Sequence, residues 1–194
     1  MPKTLLAEVC ESIAQFRETV SVKLAQWTGA RTPQGFSGVE QEAHAAARKL
    51  ADDIVAAVLR AILADIAFQA QCLAGAHSIG TYKSKGFKDT TVTLLGGNSY
   101  PIRTQYLLPA SKGRRARRRP GVGLWPCLVA LGIWWQSSPA LAGETARQVA
   151  DSCSFRDGLE ALRRRGIDLG GRDPALGDRR CPVVPRESCV TSIC

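Results

Sequence analysis

Six cations fall within eight residues: Lys112, Arg114, Arg115, Arg117, Arg118 and Arg119. Like charges that close repel one another and find no place in an apolar core. Gly113 and Pro120 break regular structure around them, so 111–120 reads as an exposed loop until an anion arrives. Guanidinium groups take phosphate oxygens two at a time, and a run of this density neutralises several backbone phosphates. Such contacts give affinity and salt dependence without reading a base sequence. The same run also fits a solvated linker with no ligand, or a membrane-surface or localisation signal. A second cationic group, Arg163, Arg164 and Arg165, closes a helix expected over Phe155 to Arg164.

The placement of charge says more than its total. The formal net charge is +9 over 194 residues. Residues 1–80 carry seven Lys/Arg against eight Asp/Glu, whereas residues 81–194 carry nineteen against nine. No acidic residue lies between Asp89 and Glu144. A one-sided field of this kind favours a polyanion such as DNA or RNA.

Other chemistry is sparse. No HExxH, Walker loop or GxGxxG occurs. His77 has Ser78 and Cys72 nearby, but no strand-turn-helix elbow presents a nucleophile. Asp52, Asp53 and Asp65 fall on the expected solvated face of a helix, together with Glu40. Seven cysteines at wide spacing, without a CxxC, and only two histidines give no pattern for structural zinc. Cys10, Cys72, Cys127 and Cys153 are expected as free, buried thiols, and Cys181, Cys189 and Cys194 lie in a weakly patterned tail. No catalytic residue, metal ligand or cofactor site is expected, and the chain is not expected to act as an enzyme. Tyr100, Tyr106 and Trp125 flank the basic loop and are of the type that stacks on bases, although strand and core packing is the commoner use of such rings. Trp134 and Trp135, adjacent on a short helix, cannot both point inward, so at least one is expected to be exposed, as core edge or partner patch.

These groups must be held by elements that the pattern outlines. Leu5, Val9, Ile13, Phe16, Val20, Leu24 and Trp27 recur at three and four residues, an amphipathic helix over 5–27. After a linker at Pro33–Gly38, Ser37 and Glu40 fit a capping box. A long alanine-rich helix is expected from Val39 to about Leu73, with Leu50, Ile54, Val58, Leu59, Ile62 and Ile66 buried. The two helices predict an antiparallel hairpin or a pairing across a dimer. Thr90–Leu95 and Tyr100–Leu108, separated by Gly96-Gly97-Asn98-Ser99, predict a β-hairpin, with Pro101 marking an edge. Short helices are expected at Cys127–Trp135, Glu144–Asp151 and Phe155–Arg164, the last capped by Ser154. The final two are spaced like the first pair of a helix-turn-helix, though Gly170-Gly171-Arg172-Asp173-Pro174 is poor material for starting a recognition helix.

The expected organisation is therefore mainly α: a helical hairpin over 1–80, a β-hairpin over 81–110, the basic loop at 111–120, a short-helix region over 121–169, and an irregular tail at 170–194. No secretory signal opens the chain, since Glu8, Glu11 and Glu18 interrupt any apolar core. The longest apolar stretch, Val122–Trp135, is fourteen residues and contains Pro126, too short to span a membrane. A cytoplasmic location with no membrane partner is the expectation.

From Tyr82 onward the chain resembles the region ahead of the catalytic domain in insertion-sequence transposases of the ISKra4 type. The resemblance rests on Thr91-Val92-Thr93-Leu94-Leu95-Gly96, Tyr100–Tyr106, the basic loop, and Gly121-Val122-Gly123-Leu124-Trp125-Pro126 with Leu131-Gly132-Ile133. It continues through Glu144–Ala150 and Ser152–Phe155 to Leu162-Arg163-Arg164-Arg165-Gly166-Ile167, and covers roughly 80–169. It implies a truncated, DNA-binding part of such a protein, lacking the metal-binding nuclease domain, so no catalytic carboxylate is carried over. The expected function is binding of double-stranded DNA without strand cleavage, with self-association through the N-terminal helices. An RNA-binding or ribosome-associated protein and a helical interaction or dimerisation module are the alternatives.

Overall fold

A computed structural model describes residues 4–110, 123–152, 154–164 and 167. The basic loop, Arg165, Cys153, the tail from 170 and its three cysteines lie outside the described residues. The fold is mainly helical, with an N-terminal joined helical pair, a small antiparallel β-hairpin and several shorter helices downstream.

Helix α1 runs Leu5–Thr28 and is capped by Thr4, whose Oγ1 accepts the Ala7 N–H. Helix α2 runs Pro33–Ala64. Its start lies upstream of the expected Ser37/Glu40 box, because Thr32 Oγ1 accepts the Gly35 N–H and Pro33 occupies the first helical turn, where its missing N–H costs nothing. The single long helix expected to reach Leu73 is instead two. Asp65 adopts extended backbone and its carboxylate accepts the Ala67 N–H at 2.8 Å, which caps a separate helix α3, Ile66–Ile79.

The expected buried face of α2 also needs correction. Leu59 is buried and Leu50 and Ile54 are half-buried, but Val58, Ile62 and Ile66 are exposed. The small residues Ala56 and Ala57, with Leu63, take the buried positions because they let other elements approach closely. Asp52, expected in solvent, is buried, and Asp53 is half-buried. Glu40 and Asp65 are exposed as expected. Cys72 and Cys127 are buried free thiols, whereas Cys10 is exposed, because its place on α1 faces away from α2.

Strands β1 (Tyr82–Thr93) and β2 (Ser99–Pro109) form a two-stranded antiparallel sheet, longer at the outer end than expected. A bulge at Ser84–Phe87 centres on Gly86, whose φ of 75° suits a residue without Cβ. Beyond the hairpin, α4 (Pro126–Ala130) is shorter than the helix expected over 127–135. Gly132 leaves the helical region at φ 69°, and Trp135 and Gln136 follow at φ 53° and 63°. Both Trp134 and Trp135 are exposed. Helix α5 (Pro139–Ala150) starts five residues before Glu144, capped by Ser138, and α6 (Phe155–Arg164) follows.

Two separate cores hold these elements. The larger joins Ala56, Leu59 and Leu63 of α2, Cys72 of α3, Val92, Leu94 and Ile102 of the hairpin, and Cys127, Leu128 and Ile133. The smaller is Leu141, Leu162 and Ile167, which binds α5 to α6. The hairpin tip is held by α2 through a buried carboxylate. Asp52 accepts the Gly96 N–H at 3.0 Å, the Asn98 N–H at 3.3 Å and the Asn98 side-chain amide at 2.8 Å. A Cβ on Gly96 would overlap that carboxylate, so this position requires glycine.

Candidate nucleic-acid interface

The hairpin is anchored at its turn and along β2, where Thr104 and Leu107 are buried and Leu107 pairs with Leu124. Near the turn, Val92 and Ile102 sit in the core, but from Lys83 to Asp89 every residue of β1 is exposed. That stretch of β1 forms an exposed arm along the edge of the sheet, and it carries Lys83, Lys85 and Lys88. Asp89 is its one carboxylate and stands opposite Arg103 of β2 in the register. Cross-strand opposite charges offset each other locally, which leaves the three lysines as the arm's net charge.

The base of this arm is where the basic segment begins. Tyr82 pairs with Pro109 and Lys83 with Leu108, and the Ala110 N–H donates to the Thr81 carbonyl at 2.8 Å. Lys112 is two residues beyond Ala110, so at most ~7 Å of chain separates their Cα positions. In sequence, the cations of 112–119 thus follow directly on the end of β2 that pairs with Lys83. Sequence pattern alone placed the functional weight on 112–119 and did not include Lys83, Lys85 and Lys88. They lie ahead of the strand expected at Thr90–Leu95, and only the hairpin register brings them beside the end of β2, after which the basic run follows in sequence.

Aromatic side chains near the arm divide into two kinds. Tyr106 is half-buried, with its ring 4.6 Å from Trp125 and the Lys88 ammonium 4.5 Å above its face. Gly123 backs directly onto that Tyr106 ring, leaving no room for a side chain. Tyr100 is tied inward, its hydroxyl donating to Asp53 at 2.5 Å. Burial and the carboxylates of Asp53 and Asp52 hold the Tyr100 phenol in its protonated form well above the usual range. These three rings are thus packing residues. Phe87, at the bulge between Lys85 and Lys88, is 47% exposed and is the ring free to meet a ligand.

Arg163 and Arg164 close α6 on a different element with its own core. Arg164 donates to Glu160 at 2.6 Å, and both arginines sit where cations favour a helix C-terminus. The α5–α6 joint is short and well capped: Ser154 Oγ accepts the Asp157 N–H at 3.2 Å and donates to the Asp157 carboxylate at 2.8 Å. Around His77, Ser78 spends its hydroxyl on the Gly75 carbonyl, and Cys72 is directed into the core. Among the described residues no group of three or more His, Cys, Asp or Glu is placed to hold a metal ion. None of their helices is long and apolar enough to cross a membrane.

No protein-family model matches the chain, and no curated protein or solved structure matches it significantly.

Proposed function

We propose that the chain binds double-stranded DNA along its phosphate backbone, through residues 112–119 acting together with Lys83, Lys85 and Lys88, and that it does not cut the strand. The observation that supports this reading is the exposed, lysine-bearing β1 edge beside the end of β2, from which the six-cation run follows in sequence. The six cations of 112–119 and the three lysines of β1 together supply nine cations, a charge footprint for a polyanion. Duplex DNA is the preferred form in this reading because α5 and α6 are short helices with a short capped joint, the spacing expected of a helix-turn-helix opening pair, and Arg163 and Arg164 add charge there. This role fits the resemblance to the pre-catalytic region of a transposase, in which cleavage belongs to a separate metal-binding domain.

A second reading, single-stranded RNA, is favoured by one observation: Phe87 lies exposed between Lys85 and Lys88, the arrangement in which a base stacks while the backbone is neutralised. The deciding experiment measures binding to random duplex DNA and to single-stranded RNA across a salt series, with the six cations of 112–119 replaced by glutamine in a parallel variant. Tight duplex binding that weakens with salt and drops in the variant supports the DNA reading. Preference for the single strand, lost in Phe87→Ala, moves the assignment to RNA. Absence of binding to either polymer at low salt overturns both.

A further inference from the structure

The helical pair α1–α2 is covered on one face only. Its hydrogen bonds to the hairpin come from one side of α2, Asp53 to Tyr100 and Asp52 to the turn, and the Glu8–Arg60 and Lys23/Trp27–Glu42 links join α1 to α2. Successive residues of a helix turn by about 100°. Val9, Phe16, Val20 and Trp27 of α1 and Val39, Ala43, Ala46 and Leu50 of α2 are the half-buried stripe of each helix, and with those stripes as the seam the remaining face is set. It carries Leu6, Ile13 and Leu24 from α1, and Phe36, Ala47, Ala51, Ile54 and Val58 from α2. Leu6 is 72% exposed, Ile13 48%, Leu24 54%, Phe36 58% and Val58 39%. None of the described side chains of α1 is fully buried. An apolar face of this extent on a solvent-facing helical pair marks an interaction surface.

We propose that this face docks the same face of a second copy of the chain, giving a layer of four helices. Three observations favour a second copy over a partner of other chemistry. The charged groups on the face are one of each sign, Arg17 on α1 and Glu40 on α2, with His44 at the rim. Residues 1–80 as a whole carry seven cations and eight carboxylates, so two copies meet there without net repulsion, which the cationic remainder of the chain would not permit. The size also fits: a face two helices wide along the length of α1 offers on the order of 700 Å², close to the roughly 800 Å² per partner of a standard interface. Ala47 and Ala51 near its middle allow close helix approach.

The inference is independent of nucleic-acid binding and is tested apart from it, on the full chain at high salt after nuclease treatment. Light scattering coupled to gel filtration is run at several protein concentrations on the wild type, on I13E/V58E, on L24K, and on V22E, whose exposed valine lies off the face. The expected result is twice the chain mass for wild type and V22E, and the single-chain mass for I13E/V58E and L24K, with unchanged helical circular dichroism. A single-chain mass for wild type at every concentration overturns the proposal. So does a dimer that survives in both face variants. Should I13E/V58E lose helicity, L24K alone decides.

Discussion

Asp52, in the middle of α2, accepts the side-chain amide of Asn98 at 2.8 Å across 46 residues of sequence. The same carboxylate takes the backbone N–H groups of Gly96 and Asn98, so one buried side chain fixes the tip of the hairpin to the helical layer. Asp52→Ala leaves these part-buried donors without their acceptor. The expected loss is about 2–4 kcal/mol of folding free energy, since buried unsatisfied donors cost their full desolvation. Denaturant unfolding measures it. A loss below about half a kcal/mol, the range of an ordinary surface change, would show that the clamp is not structural.

Tyr100 gives a pH signature. Its phenol is held protonated in the folded state by burial and by the Asp53 and Asp52 carboxylates, so its pKa is raised above that of the unfolded chain. The contribution is complete below the unfolded tyrosine pKa of about 10. It declines as the pH rises from there toward the folded value, because only the unfolded state releases the proton. Phenolate absorbance should show a step well above the ordinary tyrosine range, and Tyr100→Phe should remove it. Absence of that step would contradict the Tyr100–Asp53 bond.

The thiols should separate by reactivity. Burial and the neighbouring Cys127 push the Cys72 thiol up to about 11, whereas Cys10 is exposed on α1. Thiolate is the reactive form, so at neutral pH Cys72 should alkylate on the order of 100-fold more slowly than a free thiol of ordinary pKa. Peptide mapping after a timed iodoacetamide pulse is expected to find Cys10 labelled, and Cys72 and Cys127 labelled only after unfolding. Early labelling of Cys72 or Cys127 would mean that the larger core opens readily.

How much of this was legible in the sequence follows from the range of the interactions concerned. Helix α1, the hairpin turn at Gly96–Ser99 and the cap at Ser154 rest on neighbours within a few residues, and local pattern finds them. The split at Asp65 escaped because alanine and isoleucine continue at helical spacing on both sides, and one Asx cap outweighs a pattern that never falters. Asp52 reads as solvated because its partners lie 44 and 46 residues away. Nothing local tells a buried carboxylate from an exposed one on an alanine-rich helix. The lysine arm was hidden for the same reason. Its position beside the end of β2 that precedes the basic run is a consequence of strand register.

The arm makes a quantitative forecast for binding. Each phosphate neutralised on duplex DNA contributes roughly 0.9 to the slope of log affinity against log salt. If Lys83, Lys85 and Lys88 each meet a phosphate, the triple alanine variant should lower that slope by about 2–3 while leaving base preference unchanged. Val22→Glu, remote from the arm, serves as the control for a general charge effect. An unchanged slope in the triple variant would remove the arm from the interface and leave residues 112–119 to act alone.

The two cores predict independent local stability. Leu162 is fully buried with Leu141 and Ile167, and this cluster shares no buried residue with the one that holds the hairpin. The link between the two regions is backbone: the Thr93 N–H donates to the Gln136 carbonyl at 2.7 Å and the Ser138 N–H to the Thr93 carbonyl at 3.0 Å. Leu162→Ala should cost about 2–5 kcal/mol within its own cluster. A cluster built on three buried side chains has little to spare, so the variant should open α5 and α6 as a unit ahead of global unfolding. Hydrogen exchange followed by mass spectrometry is expected to show faster exchange over 139–164 and unchanged protection over 92–104. If protection falls equally in both stretches, the cores unfold as one, and the backbone link at Thr93 is the stronger coupling.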